Sequence, residues 1–187
     1  MKRMEFERYW SYYLSIEEMF KKTNQYVSHS NENQKTYSDE FAKIILLSCS
    51  EIDSLLKIVC KYKEIPNNGK NYNMVSYSKA LIKVEEIHNW AFATSPMTSI
   101  KEFGIIVYPF KDLNTCKKHG GLSWWEDYQK LKHNRLSNAE VGNLYNASCS
   151  LVAHYMILRI MIDFLDEYSG KLYVIENNHS NFWSPVV

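Results

Sequence analysis

"TYSDEFAKIILLSCSEIDSLLKIVCKY", residues 36–62, decides the fold class. Phe41, Ile44, Ile45, Ser48, Ile52, Leu55, Leu56 and Val59 fall on one side of a helical wheel, and Lys43, Asp53 and Lys57 on the other. That spacing is the period of an amphipathic helix, and it predicts one over 37–62. Thr36 is placed to cap it, and Asp39 and Glu40 suit the positive end of its dipole. Glu51 is the irregular residue. It sits within the edge of the apolar arc, between Ile44, Leu55 and Ile58.

Working outward, the same period recurs. Tyr9, Tyr13, Ile16, Phe20 and Val27 define a helix over 5–27. A third helix is expected over 78–93, capped by Ser78, with Leu81, Val84, His88, Ala91 and Phe92 on its apolar face. A short helix over 123–133 and a long one over 138–168, stopped by Gly170, complete the set. "EFGIIVYPF" (102–110) and "KLYVIE" (171–176) read as short strands, paired antiparallel. The expected fold is mainly α, a bundle of about five helices with a small two-stranded β element, forming a single domain over 1–187.

The long apolar run at 144–165, "LYNASCSLVAHYMILRIMIDFL", has the length of a membrane span. His154, Arg159 and Asp163 interrupt it, and each central Arg or Asp costs about 2.5–3.5 kcal/mol on insertion. It reads as a core helix, so the protein is expected in the cytoplasm, with no membrane partner. Four scattered cysteines (Cys49, Cys60, Cys116, Cys149) suit a reducing compartment better than a disulfide framework. "CKKH" (116–119) lacks a second ligand pair, so no metal and no cofactor are expected. With 22 basic and 21 acidic residues the net charge is +1. Binding to nucleic acid would therefore need a local patch.

The candidate patch is "LSWWEDYQKLKHNRLSNAE" (122–140). Trp124, Tyr128 and Leu131 share a helical face and should bury, with Trp125 a quarter turn away. "KHNR" then falls at the junction with the last helix, whose first backbone N–H groups would be free to hold an anion. Lys132 and Arg135 suit a phosphate, and His133 an acid or base role. Glu51 is the candidate carboxylate to orient Arg135 or His133. In the alternative, Arg135 caps carbonyls or pairs with Asp127 or Glu51, and the rest face solvent. A small-molecule pocket under the tryptophans is a further possibility.

Four segments, "WSYYLSIEEMF", "TYSDEFAKIILLSCSEIDSLLK", "PFKDL" and "SWWEDYQKLKHNR", resemble a widespread group of uncharacterised small bacterial proteins with a WWxxYxxxKHxR signature. More distantly, the "SCSE" helix and the polar junction before the last helix resemble the HEPN superfamily. That resemblance implies a homodimeric helical bundle in RNA-related stress, toxin–antitoxin or phage-defence biology, with RNA or a partner protein of such a system as its partner. It further implies either a metal-independent ribonuclease or a noncatalytic binding and assembly module. In the ribonuclease, His133 is the acid/base, Lys132 and Arg135 stabilise the phosphate, and Glu51 positions one of them. In the module, "KHNR" is structural. Catalytic HEPN domains carry Arg, then four to six intervening residues, then His. Here positions 140–142 are Glu-Val-Gly and the order is reversed, His133-Asn134-Arg135.

Overall fold

A computed structural model describes residues 1–67, 69, 71–94, 104–165, 180 and 182–185. Five α-helices and three short strands lie among them: α1 (Arg3–Thr23), α2 (Asp39–Tyr62), α3 (Met74–Leu81), α4 (Ser123–His133), α5 (Leu144–Met161), β1 (Phe92–Thr94), β2 (Ile106–Val107) and β3 (Trp183–Pro185). The chain is a mainly α bundle with a small β element.

The centre is the pair α2 and α5, which run parallel. At one end Tyr37 and Asn143 form a β-bridge, and the Leu144 N–H donates to the Thr36 carbonyl over 3.0 Å. At the other end the Tyr62 ring stacks on Phe164 at 3.8 Å. α1 runs antiparallel to both. Phe20 meets Phe41 near the start of α2, while Trp10 and Tyr13 pack on Tyr155 of α5. α5 is buried around almost its whole circumference, which explains its composition. It belongs to the one stretch among the described residues that is long and apolar enough to cross a membrane, and 89% of that apolar window is buried in the protein.

Helix ends move where a local cap competes with a better one. α2 is capped by Ser38, whose hydroxyl accepts from the Phe41 N–H, and not by Thr36. α3 starts earlier than Ser78, at Asn73, whose side chain accepts from Val75 and Ser76 N–H groups. The Ser78 hydroxyl instead donates back to the Met74 carbonyl inside the helix. The helix expected to reach 93 therefore ends at Leu81. His88 lies in a 3-10 turn with its Nδ1 3.1 Å from the Phe110 carbonyl, and Phe92 enters a strand.

The sheet also differs from expectation. It has three strands in the order β2-β1-β3, all antiparallel, so the partner of Ile106–Val107 is Phe92–Thr94. Residues 171–176 and Gly170 lie outside the described residues. α5 begins at Leu144, not 138, because Asn143 caps it, while Leu136–Val141 forms a 3-10 turn.

One buried group is left without a partner in the middle of α2. The Ser48 hydroxyl is fully enclosed and makes no hydrogen bond among the described residues. Ser48→Ala removes that unmet donor and raises helix propensity, so it should stabilise the fold by about 1 kcal/mol. Urea unfolding checks this, and a loss of stability would mean that the hydroxyl has a partner in solution.

Candidate functional site

α4 behaves as its spacing demands. Trp124, Tyr128 and Leu131 are buried, and so is Trp125, which was placed a quarter turn away. The two indoles meet edge to face at 5.7 Å, Trp125 lies 5.1 Å from Tyr128, and the Trp124 Nε1–H donates to the Pro109 carbonyl over 2.7 Å. Each tryptophan is 3% exposed. The rings fill the layer in which a small-molecule pocket was considered.

The junction after α4 is closed by local bonds. The Asn134 N–H donates to Lys130, its side-chain oxygen accepts from the Ser137 N–H, and the Asn138 amide donates back to the Asn134 carbonyl. Arg135 then reaches across to the first residue of α2, where Nη1 donates to the Asp39 carboxylate. Neither Asp127 nor Glu51 is its partner. Asp127 accepts from Lys130 at 2.7 Å and from the Asn146 amide at 2.9 Å, which ties α4 to α5.

Glu51 is separated from this junction in two ways. It lies 12 residues beyond Asp39, about 18 Å along the α2 axis. It also lies on the other flank of the helix. Tyr128 of α4 lies on the flank of α2 that carries Cys49 and Asp53, whereas Ile58, on the same rim as Glu51, lines a groove with Tyr9 of α1. Glu51 is half-buried, and desolvation raises its carboxyl above the ordinary value. Among the described residues it has no ion pair. It does not orient Arg135 or His133.

The expected cradle of free N–H groups is also occupied. At the start of α5 the Leu144 N–H donates to Thr36, the Tyr145 N–H to Gln34, and the Asn146 N–H to the Asn143 side chain. Segment 34–36 thus covers the positive end of the helix. Lys132 is exposed with Nζ 5.7 Å from the Tyr128 ring centroid, a cation–π contact. His133 is exposed and has no hydrogen-bond partner among the described residues. The four sequence candidates do not form one constellation. Arg135 is a clasp, Lys132 and His133 face solvent, and Glu51 is elsewhere.

What the neighbourhood does hold is charge. Residues 111–135 contain six basic side chains (Lys111, Lys117, Lys118, Lys130, Lys132, Arg135) against three acidic ones. The rest of the chain has 16 basic and 18 acidic residues. All six bases are exposed, on α4, its junction and the loop before it. Lys130 and Arg135 are engaged with carboxylates, while Lys111, Lys117, Lys118 and Lys132 have no ion pair among the described residues. His119 and Gly120–Gly121 turn that loop through three successive positive φ values, 57°, 66° and 75°. A Cβ on Gly121 would sit 2.6 Å from the Asp112 carbonyl, so only glycine fits there. The single lysines were visible in sequence. So was the basic, Gly-containing character of the loop over 111–121; that its Gly120 turn packs on Met74 and Ser78 of α3 was not.

The Arg135–Asp39 pair has exposed partners, 48% and 79% by side chain. Solvent and salt screen it, so Arg135→Ala should cost under about 1 kcal/mol. A double-mutant cycle with Asp39→Ala measures the coupling. A loss of several kcal/mol would make the clasp a major stabilising contact and contradict this.

No protein-family model, curated protein or solved structure matches the chain.

Proposed function

We propose that this protein is a HEPN-like RNA-binding module of bacterial stress, toxin–antitoxin or phage-defence biology. It works in the cytoplasm as a homodimer or beside a partner protein, and it binds RNA without cutting it. The observation that carries this reading is the segregation of charge: a chain of net charge +1 concentrates a local excess of three positive charges on exposed residues 111–135. Lysines without carboxylate partners can neutralise phosphates and release counterions, the main source of affinity in sequence-independent binding. Lys132 on the Tyr128 face, and Lys117 and Lys118 at the loop, are the expected contacts.

The noncatalytic half of the reading rests on the junction. In-line cleavage of RNA needs an acid/base held in place and donors aimed at the phosphate. Among the described residues His133 has no orienting partner, Arg135 is bonded to Asp39, and the α5 N–H groups are taken. Here "KHNR" joins helices. The test is incubation of labelled single-stranded RNA with purified protein in EDTA, read both for binding and for cleavage. The expected result is a retarded, intact RNA with wild type and with His133→Ala alike. Cleavage that disappears in His133→Ala would restore the ribonuclease reading.

A further inference from the structure

A second surface, formed by the 3-10 turn after α3, the start of β1 and one face of α5, has the make-up of a small-molecule site. A cleft of about 460 Å³ is lined by Glu86, Asn89, Trp90, Ala91, Phe92, Tyr155 and Arg159. This volume falls in the range of ligand pockets, roughly 300–1,000 Å³. Three of its walls are aromatic. Phe92 and Tyr155 meet edge to face at 5.4 Å, and Tyr155 is braced from behind by Trp10 at 5.9 Å and Tyr13 at 5.8 Å. A floor packed in this way does not fold into the cleft to fill it.

The polar groups come in opposite signs. Arg159 follows Tyr155 by one helical turn on the same face of α5, and its charge acts on the Tyr155 phenol. Glu86 is exposed and makes no ion pair among the described residues. Its backbone is left-handed, φ 52° and ψ 20°, at the entry to the 3-10 turn that carries Asn89. The Asn89 N–H donates to the Glu86 carbonyl over 2.8 Å, which closes this turn. A guanidinium has five N–H donors, so Arg159 can keep a structural partner and still receive a ligand carboxylate.

From these groups we infer that the cleft binds a small zwitterion bearing a planar ring, of the chemical class of an aromatic amino acid. The ring lies among Trp90, Phe92 and Tyr155, the carboxylate faces Arg159, and the ammonium faces Glu86. Neither charged group alone specifies this class. A simple aromatic acid would leave Glu86 without a partner, and a simple amine would leave the guanidinium side unused.

The test uses L-phenylalanine, with 3-phenylpropionate lacking the amine and phenethylamine lacking the carboxylate. Binding is read by tryptophan fluorescence and, independently, by the shift in melting temperature. L-Phenylalanine should saturate both signals, and each truncated analogue should bind at least about tenfold more weakly, the effect of one lost charge contact. Glu86→Gln, at an exposed position, should weaken L-phenylalanine about tenfold and leave 3-phenylpropionate unchanged. Trp90→Phe should remove most of the fluorescence response while the melting shift remains. No saturable response to L-phenylalanine up to about 10 mM, where binding is worth under about 3 kcal/mol, would overturn the inference. So would equal affinity for all three probes, or an unchanged affinity in Glu86→Gln.

Discussion

Acidification from pH 7 to pH 4 should remove on the order of 5 kcal/mol of folding stability, enough to unfold a protein of ordinary stability. The cause is two buried histidines. His154, on α5, is fully enclosed with neither ring nitrogen hydrogen-bonded among the described residues, and its ring meets Tyr13 edge-on at 5.3 Å. Burial lowers its pKa from 6.5 to about 3. The His29 ring lies tilted against Phe20, centroids 4.4 Å apart, and burial lowers its pKa to about 4. The Thr23 hydroxyl donates to the Phe20 carbonyl, so His29 Nε2 must be the donor toward Thr23. Its Nδ1 then has no partner among the described residues, and a proton added there would meet no acceptor among them.

The sign follows from the two states. Below pH 6.5 the unfolded chain takes up protons at both histidines, while the folded chain resists until about pH 4 for His29 and pH 3 for His154. Stability is therefore full above 6.5 and falls as the pH drops through this window, at up to about 1.36 kcal/mol per unit for each group. His154→Phe keeps an aromatic ring against Tyr13 and abolishes one proton site. Its stability should fall about half as steeply between pH 6.5 and 4, as read by urea unfolding across the range. Parallel curves for the two proteins would show that His154 is not buried in its neutral form.

Trp124→Ala should be the most damaging single change at the start of α4, costing about 3–5 kcal/mol. The ring contacts Trp125 and lies 6.3 Å from Phe110, and its N–H is the donor to the buried Pro109 carbonyl. At this chain length that corresponds to a fall in Tm of roughly 10 °C. Trp124→Phe separates the two contributions. It keeps much of the apolar contact but strands the Pro109 carbonyl, and it should cost about 1–2 kcal/mol. If Phe and Ala cost the same, the hydrogen bond and not the packing holds this corner. The tryptophan pair is thus a core feature that anchors Pro109 and Phe110, the residues leading into the basic loop.

Periodicity made α4 legible to the residue, because a helix whose apolar spacing and flanking polar residues agree has little choice of boundary. It also placed Glu51 at the rim of the α2 stripe, where it lies. Which flank of α2 receives α4 is a different kind of information. It depends on the packing of Tyr128 near Cys49 and Asp53, and no local pattern encodes that. The start of α5 was hidden for the same reason. Asn138 has the chemistry of a cap, but Asn143 wins because its backbone is bridged to Tyr37, more than a hundred residues away. The pairing of Ile106–Val107 with Phe92–Thr94 is likewise a tertiary choice, and it overrode a helical spacing that ran through Phe92.

The central claim is that residues 111–135 hold RNA by its phosphates. The direct measurement is the salt dependence of single-stranded RNA binding for wild type beside Lys117→Glu/Lys118→Glu/Lys132→Glu, with equal folding verified by urea unfolding. Each lost phosphate contact lowers the slope of log K against log salt by about 0.7. The account predicts tight low-salt binding by wild type, and a triple variant that is weaker with a slope reduced by about 2. Identical slopes for the two proteins, or no binding by wild type at low salt, would contradict it.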